Sequence, residues 1–401
     1  MALRLGATWI LLVAAFTVTL AYGVQLPLLP SLLERQVGSP AAVSWHTGAL
    51  TGTYTLALFL FAPLWGLVSD RWQRKAVIVV GLAGFALALT VFAFIDHLAA
   101  LYLGRFLTGA FSAAVLPVSQ ALVADLSSDE DWRARRFAWL NIAGIAGFLV
   151  GPVVGGVLGT MWSGAMPASG APFLFIAGGA AAASLLAAIL LPSAASRRAV
   201  EKAAPDPRGR RQLRRLLLIS LLLAVGLGTF EVGLALVGKQ ELGLTPGQIG
   251  IMFAECMVAM AVAQVLVFNP WFPPRATRWL LAPAFGVLAT GLLLLPAATS
   301  GAQLFWGVAA IAGAAGVLSP VTGFWVSLMA GRAQGSELGL QTAISSLGQT
   351  IGAAIAGLLY GNAGLGERAF LLAAAGAVAG AALSLPLALS LTRSRPRSPA
   401  T

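Results

Sequence analysis

Gly66-Leu67-Val68-Ser69-Asp70-Arg71-Trp72-Gln73-Arg74-Lys75 sets four charged residues in a short connector between two apolar runs, 46–68 and 76–95. Each run has the length a helix needs to cross a bilayer, about 20 residues. Working outward, the same alternation recurs near 6–32, 98–123, 137–160 and 172–191, then near 215–237, 248–268, 278–297, 303–329, 338–361 and 369–391. Two of the boundaries carry no charge and are marked instead by turn residues, Met161 to Pro172 and Pro296 to Gly301. The pattern predicts an all-α integral membrane protein with twelve transmembrane helices in two pseudo-symmetric six-helix bundles. The expected organisation is an N-terminal bundle over 1–192, a basic, Pro-containing connector over 193–213, a C-terminal bundle over 214–392 and a tail over 393–401.

Composition agrees. Of 401 residues 58% are hydrophobic and 10% charged, with mean hydropathy +0.87, whereas a soluble domain carries about 25% charged residues. The net charge of +11 raises the possibility of a nucleic-acid partner, but the basic residues are dispersed over loops and form no continuous groove. Their distribution is ordered in another way. Arg4, the trio Arg71, Arg74 and Lys75, the trio Arg133, Arg135 and Arg136, the run from Arg197 to Arg215, Arg275, Arg278, Arg332, Arg393, Arg395 and Arg397 occupy alternate connections. Only Arg35, Lys239 and Arg368 fall on the other side, and Arg105 lies inside a span. Positive charge marks the cytoplasmic side, so both termini are expected in the cytoplasm of a bacterial inner-membrane protein.

The first apolar run, Leu5 to Leu33, is too long for a signal-peptide core and reads as the first span. Cys256 is the sole cysteine, so no intramolecular disulfide can form. His46 and His97 fall at span ends without companion ligands and read as interfacial residues, so no metal or cofactor is expected. A membrane-embedded enzyme would need a grouped nucleophile, base or metal site, and the sequence offers none.

The connector quoted above resembles the loop motif of the major facilitator superfamily, Gly-x-x-x-Asp-Arg-x-Gly-Arg-Lys, with Gln73 where the family usually has glycine. The resemblance implies a gating charge cluster of Asp70, Arg71, Arg74 and Asp125; Asp70 can also face the amino end of span eleven near Ser336, whose unpaired amides favour negative charge. In span four, Arg105-Phe-Leu-Thr-Gly109 resembles the family's Arg-x-x-x-Gly motif. Span five repeats glycine every four residues at Gly147, Gly151, Gly155 and Gly159, a spacing that lets another helix approach closely. With Gly144, Pro152 and Gly156 these residues resemble the glycine-rich helix motif of the family's antiporters, which implies export. Half a chain later span eleven reads Gly348, Gly352, Ala353, Ala356, Gly357, an internal repeat at the same span number.

Three ionisable residues lie inside spans: Arg105 in span four, Glu231 in span seven and Glu255 in span eight. An intramembrane charge is costly and marks a functional position by default. Both glutamates stand roughly 10 Å from one end of their helices by helical rise, and a carboxylate at that depth can cycle between neutral and charged forms as water enters and leaves. Glu231, Glu255 and Arg105 are therefore the proton-coupling candidates. Tyr22, Gln25, Tyr54, Trp306 and Trp325 are candidates for lining the substrate path. The expected function is proton-coupled export of a small amphipathic or cationic molecule by a monomer working by alternating access in lipid. Export of an endogenous metabolite such as a siderophore, and proton-coupled import, are the alternatives.

Overall fold

The computed structural model describes residues 2–34, 36, 40–94, 97–126, 129–161, 170–192, 207–237, 246–269, 271–298, 300–330, 334–360 and 366–391. The connector up to 206, the tail 393–401, Arg35, Lys239 and Arg332 lie outside the described residues. Among the described residues the secondary structure is entirely helical. Spans one to six are the helices Ala2–Glu34, Pro40–Arg71, Arg74–Ala93, the pair Leu98–Ser112 and Leu116–Leu126, then Glu130–Met161 and Gly170–Leu190. Spans seven to twelve are Pro207–Leu236, Pro246–Val267, the 3-10 turn Pro274–Leu280 continuing as Leu281–Leu294, then Gly301–Met329, Gln334–Tyr360 and Gly366–Leu391. Among the described residues ten stretches, with span four taken as one, are long and apolar enough to cross a membrane, and Ile251–Val267 is a shorter apolar helix.

Two local departures from the expected spans have simple causes. Span four is interrupted at Ala113 to Val115, where the bonds tighten to Ala114 N to Phe111 O, 3.1 Å, and Val115 N to Ser112 O, 3.0 Å. Pro117 stands second in the second piece, after Leu116; having no N–H, it cannot continue the ladder of the first but fits the first turn of a new helix. Span seven likewise begins on a proline, Pro207, so part of the stretch expected as connector is already helical.

Contacts divide the chain into one unit of Met1–Val200 with Gly331–Thr350 and another of Glu201–Ala330 with Ile351–Thr401. Within the first, span two packs on four, three on four and six, and one on five and six. Within the second, span eight packs on ten, nine on ten and twelve, and seven on ten and twelve. Four pairings thus recur six spans later: two with four, three with four, three with six and one with six. This is the pseudo-symmetry expected of two six-helix bundles. Large apolar side chains such as Leu87, Phe175, Ile189, Leu266 and Leu358 stand exposed on the helices. In water such a surface would be an aggregation liability; against acyl chains it is the ordinary outer face of a spanning bundle.

Candidate functional site

Helix ends that share the loop between spans two and three form the first cluster. Arg74, 4% exposed, is its centre. Its Nη1 lies 2.7 Å from Asp70 Oδ1, its Nε donates to Asp125 Oδ2 at 2.9 Å, and Nη1 also donates to Ser69 Oγ at 2.6 Å. Asp70 is used twice, because its two oxygens also accept from the backbone amides of Gly335, 2.9 Å, and Ser336, 2.8 Å. These amides open the helix of span eleven, whose first-turn N–H groups have no partner within the helix, so the carboxylate completes both the hydrogen bonding and the dipole. The fit requires bare backbone. A β-carbon on Gly66 would overlap the Gly335 carbonyl, one on Gly339 would strike Ala62, and one on Gly335 would strike Ser69 and Arg74. Further along the same face of span two, Thr55 and Thr350 share a hydrogen bond of 2.8 Å.

The glycine missing from the loop motif is not needed. Gln73 precedes the helix of span three with φ −71° and ψ 128°, extended backbone open to any residue. Arg71 is exposed. Asp129 caps span five, accepting from the amides of Asp131, 2.9 Å, and Trp132, 3.3 Å. Arg133 donates to the Ala124 carbonyl at 3.2 Å. Burial lowers the Arg133 guanidinium pKa, and Glu130 and Asp125 act against that shift.

The second cluster lies where span five crosses span one. A β-carbon on Gly147 would overlap Phe16 and Thr19, and one on Gly151 would sit 2.6 Å from the Gly23 carbonyl carbon. Pro152, Gly155, Gly156 and Gly159 continue the helix; their side-chain surroundings lie outside the described ones. In the second unit Gly352 of span eleven meets Val225 and Thr229 of span seven in the same manner.

Beside that crossing is an aromatic box. The Tyr22 and Tyr54 rings are 5.0 Å apart, and Tyr22 continues to Phe148 at 5.8 Å. Arg105 Cζ stands 5.1 Å from the Tyr54 centroid and 5.8 Å from that of Tyr22. Tyr54 Oη pairs with Ser112 Oγ at 2.9 Å. Arg105 is 0% exposed, so it does not reach along the helix to an interface; it points into the unit. Gln25, 1% exposed, is on the face of span one that carries Tyr22. The structure thus brings together Tyr22, Tyr54 and Arg105.

Glu231 lies within the helix of span seven and Glu255 within that of span eight, beside the buried Cys256 in sequence. Glu255 Oε1 is enclosed and has no hydrogen-bond partner among the described residues. The two tryptophans go elsewhere. Trp325 is buried and donates its indole N–H to Thr277 Oγ1 at 3.1 Å, fastening span ten to the start of span nine. Trp306 is 70% exposed, on the wall of a groove of about 710 Å³ between spans nine and ten, lined by Gly286, Thr290, Leu294 and Gln303 among others. Among the described residues no three His, Cys, Asp or Glu side chains gather as a metal site.

Sequence reading alone missed Ser69, Ser112, Gly23 and Thr229. Ser69 stands inside the loop motif, and Ser112 is seven residues beyond Arg105, the spacing of one helix face, so both were within reach of pattern. Nothing in the spacing distinguishes Gly23 from the many other glycines.

The loop cluster, the span-four arginine and the glycine crossing are the features that resembled a family, and a family model described as the Major Facilitator Superfamily matches residues 11–267. The chain belongs to the Major Facilitator Superfamily. Among its relatives, Multidrug resistance protein 1 of Bacillus subtilis (strain 168) is 26% identical over 88% of this chain and 89% of that one. Tetracycline resistance protein, class E, of Escherichia coli is 27% identical over 87% and 86%. The crystal structure of the human organic anion transporter MFSD10 (TETRAN) superposes with a TM-score of 0.80 over 97% of this chain and 99% of that one, at 23% identity, a likeness of fold. As a member of this superfamily the protein is a multi-pass membrane transporter of a small molecule rather than an enzyme.

Proposed function

We propose that this transporter is a proton-coupled exporter of a small amphipathic molecule, seated as a monomer in a bacterial cytoplasmic membrane with both termini inside. The observation that carries the reading is a pair of carboxylates inside spans seven and eight, Glu231 and Glu255, with one enclosed oxygen of Glu255 lacking a hydrogen-bond partner among the described residues. Exchange requires a site for which proton and substrate compete, or through which they favour opposite conformations. A carboxylate inside a span meets that requirement: it is charged when a cationic group or water reaches it and neutral when it is sealed from both. The glycine-rich span five supports export over import, as do relatives whose names are those of multidrug and tetracycline resistance proteins.

In this account Asp70, Arg74 and Asp125 form the cytoplasmic latch. Span two grips the start of span eleven while Asp70 holds its amides, and the grip must break for that side to open. Arg71, at the same end, faces solvent.

The test is proton release. Purified protein in weakly buffered detergent should acidify the medium on addition of tetracycline, because cargo displaces the bound proton. Binding without any proton release would refute exchange at a common site. Release on addition of a metal-chelating metabolite, with none on addition of tetracycline, would favour the metabolite-export reading.

A further inference from the structure

Spans one to six contain no Asp or Glu: the acids of the first half, Glu34, Asp70, Asp96, Asp125, Asp129, Glu130 and Asp131, all lie at helix ends or in connections. Arg105 is therefore an intramembrane cation to which the first half supplies no counter-ion at its depth. Of the five guanidinium N–H groups, one is used: Nε donates to the Leu50 carbonyl at 3.3 Å. Nη1 and Nη2 are buried and have no hydrogen-bond partner among the described residues. The Tyr22 and Tyr54 rings lie side by side next to the cation and stabilise its charge through their faces, yet a ring face leaves four N–H groups without a directed acceptor. A buried unpaired charge is among the costliest features of a protein interior, and one this enclosed marks a position that something else completes.

The free edge identifies the class of partner. With Nε engaged, the remaining edge is the fork of Nη1 and Nη2, whose parallel donors match two oxygens of one planar anion. The Tyr22 and Tyr54 rings lie beside that fork and suit a flat apolar body attached to the anion. Gln25, on the Tyr22 face of span one, adds a buried amide oxygen with no hydrogen-bond partner among the described residues, an acceptor for a donor group elsewhere on the same ligand and not for its anion. We propose that Arg105, Tyr22 and Tyr54 form a subsite for the carboxylate or enolate of an aromatic amphipath. The cargo would then be amphoteric or anionic, and not simply cationic. This deepens the export reading and rests on it only for the ligand being cargo; recognition itself needs no gradient.

The test is equilibrium binding to the full chain in phosphatidylcholine nanodiscs, with 1-naphthoate and its neutral counterpart 1-naphthamide titrated at one pH by calorimetry. Hydrogen bonds to a charged group predict a preference for naphthoate of at least about tenfold. Arg105→Lys, which keeps the charge and removes the fork, should lose most of that preference. Equal affinity for the two probes in the wild-type protein would overturn the proposal, as would an undiminished preference in Arg105→Lys. The wild-type comparison decides by itself if the variant does not fold. Failure here would leave proton exchange untouched, and failure of proton release would leave this subsite standing.

Discussion

In the first half span five crosses span one glycine on glycine, Gly151 against Gly23; in the second, Gly352 of span eleven lies against Val225 and Thr229 of span seven. The second crossing also carries a hydrogen bond, from Thr229 Oγ1 to the Gly352 carbonyl at 3.2 Å. Charge divides the halves more sharply. Arg105 is the basic side chain inside spans one to six, whereas Glu231 and Glu255 stand inside spans seven to twelve, where no Lys or Arg of those six spans lies at their depth. The loop between spans two and three has Asp70, while its counterpart between spans eight and nine has Arg275 and Arg278 and no acid. A duplicated bundle keeps its helix pairings because they are set by backbone geometry and small residues. Each copy is then free to take a different charge, and alternation between two states needs such a difference.

The largest effect of breaking that asymmetry should come at Asp70, which makes an ion pair and two amide contacts and has no acidic counterpart in the loop between spans eight and nine. Asp70→Asn removes the charge and keeps one acceptor. Hydrogen bonds to charged groups are worth about 1.5–3 kcal/mol, so the latch should loosen and transport fall while the protein remains folded. Transport at the wild-type rate, measured on membranes with matched protein levels, would show that the contact does not gate.

The crossings come next. Leucine at Gly151 or at Gly352 must displace backbone, and overpacking commonly costs about 1–3 kcal/mol, so both variants should melt earlier in detergent. If only Gly151→Leu is destabilised, the two crossings are not mechanically alike. The smallest effect should be that of Thr229→Val, which removes the hydrogen bond particular to the second crossing, a loss of about 0.5–1.5 kcal/mol. A drop in thermal stability without change in transport is expected, and no drop would make Thr229 an incidental neighbour.

The spans were legible in the sequence because apolar length is a one-dimensional property: a run either reaches across the bilayer or does not. The Asp70 contact with Ser336 was legible for a related reason, since a loop acid and an unpaired helix start attract wherever both lie at one end of the bundle. The break in span four escaped because Pro117 sits inside a run whose hydropathy is unbroken. Arg105 was legible as an anomaly but not as a site; its two tyrosines come from spans one and two, and only tertiary packing sets their rings beside the guanidinium. Trp306 and Trp325 show the converse. Aromatic residues in spans do not declare their facing, and these two turned out to line a surface groove and to fasten a helix start.

The central claim is that the second half's carboxylates couple transport to protons. Its most direct test is tetracycline flux in proteoliposomes with and without an imposed pH gradient, for the wild-type protein and for the Glu231→Gln, Glu255→Gln double variant. Uphill transport by the wild type should vanish in the double variant, while exchange of labelled for unlabelled tetracycline down its own gradient can persist, because glutamine still binds but cannot release a proton. Gradient-driven transport at the wild-type level in the double variant would contradict the claim and move the coupling site out of spans seven and eight.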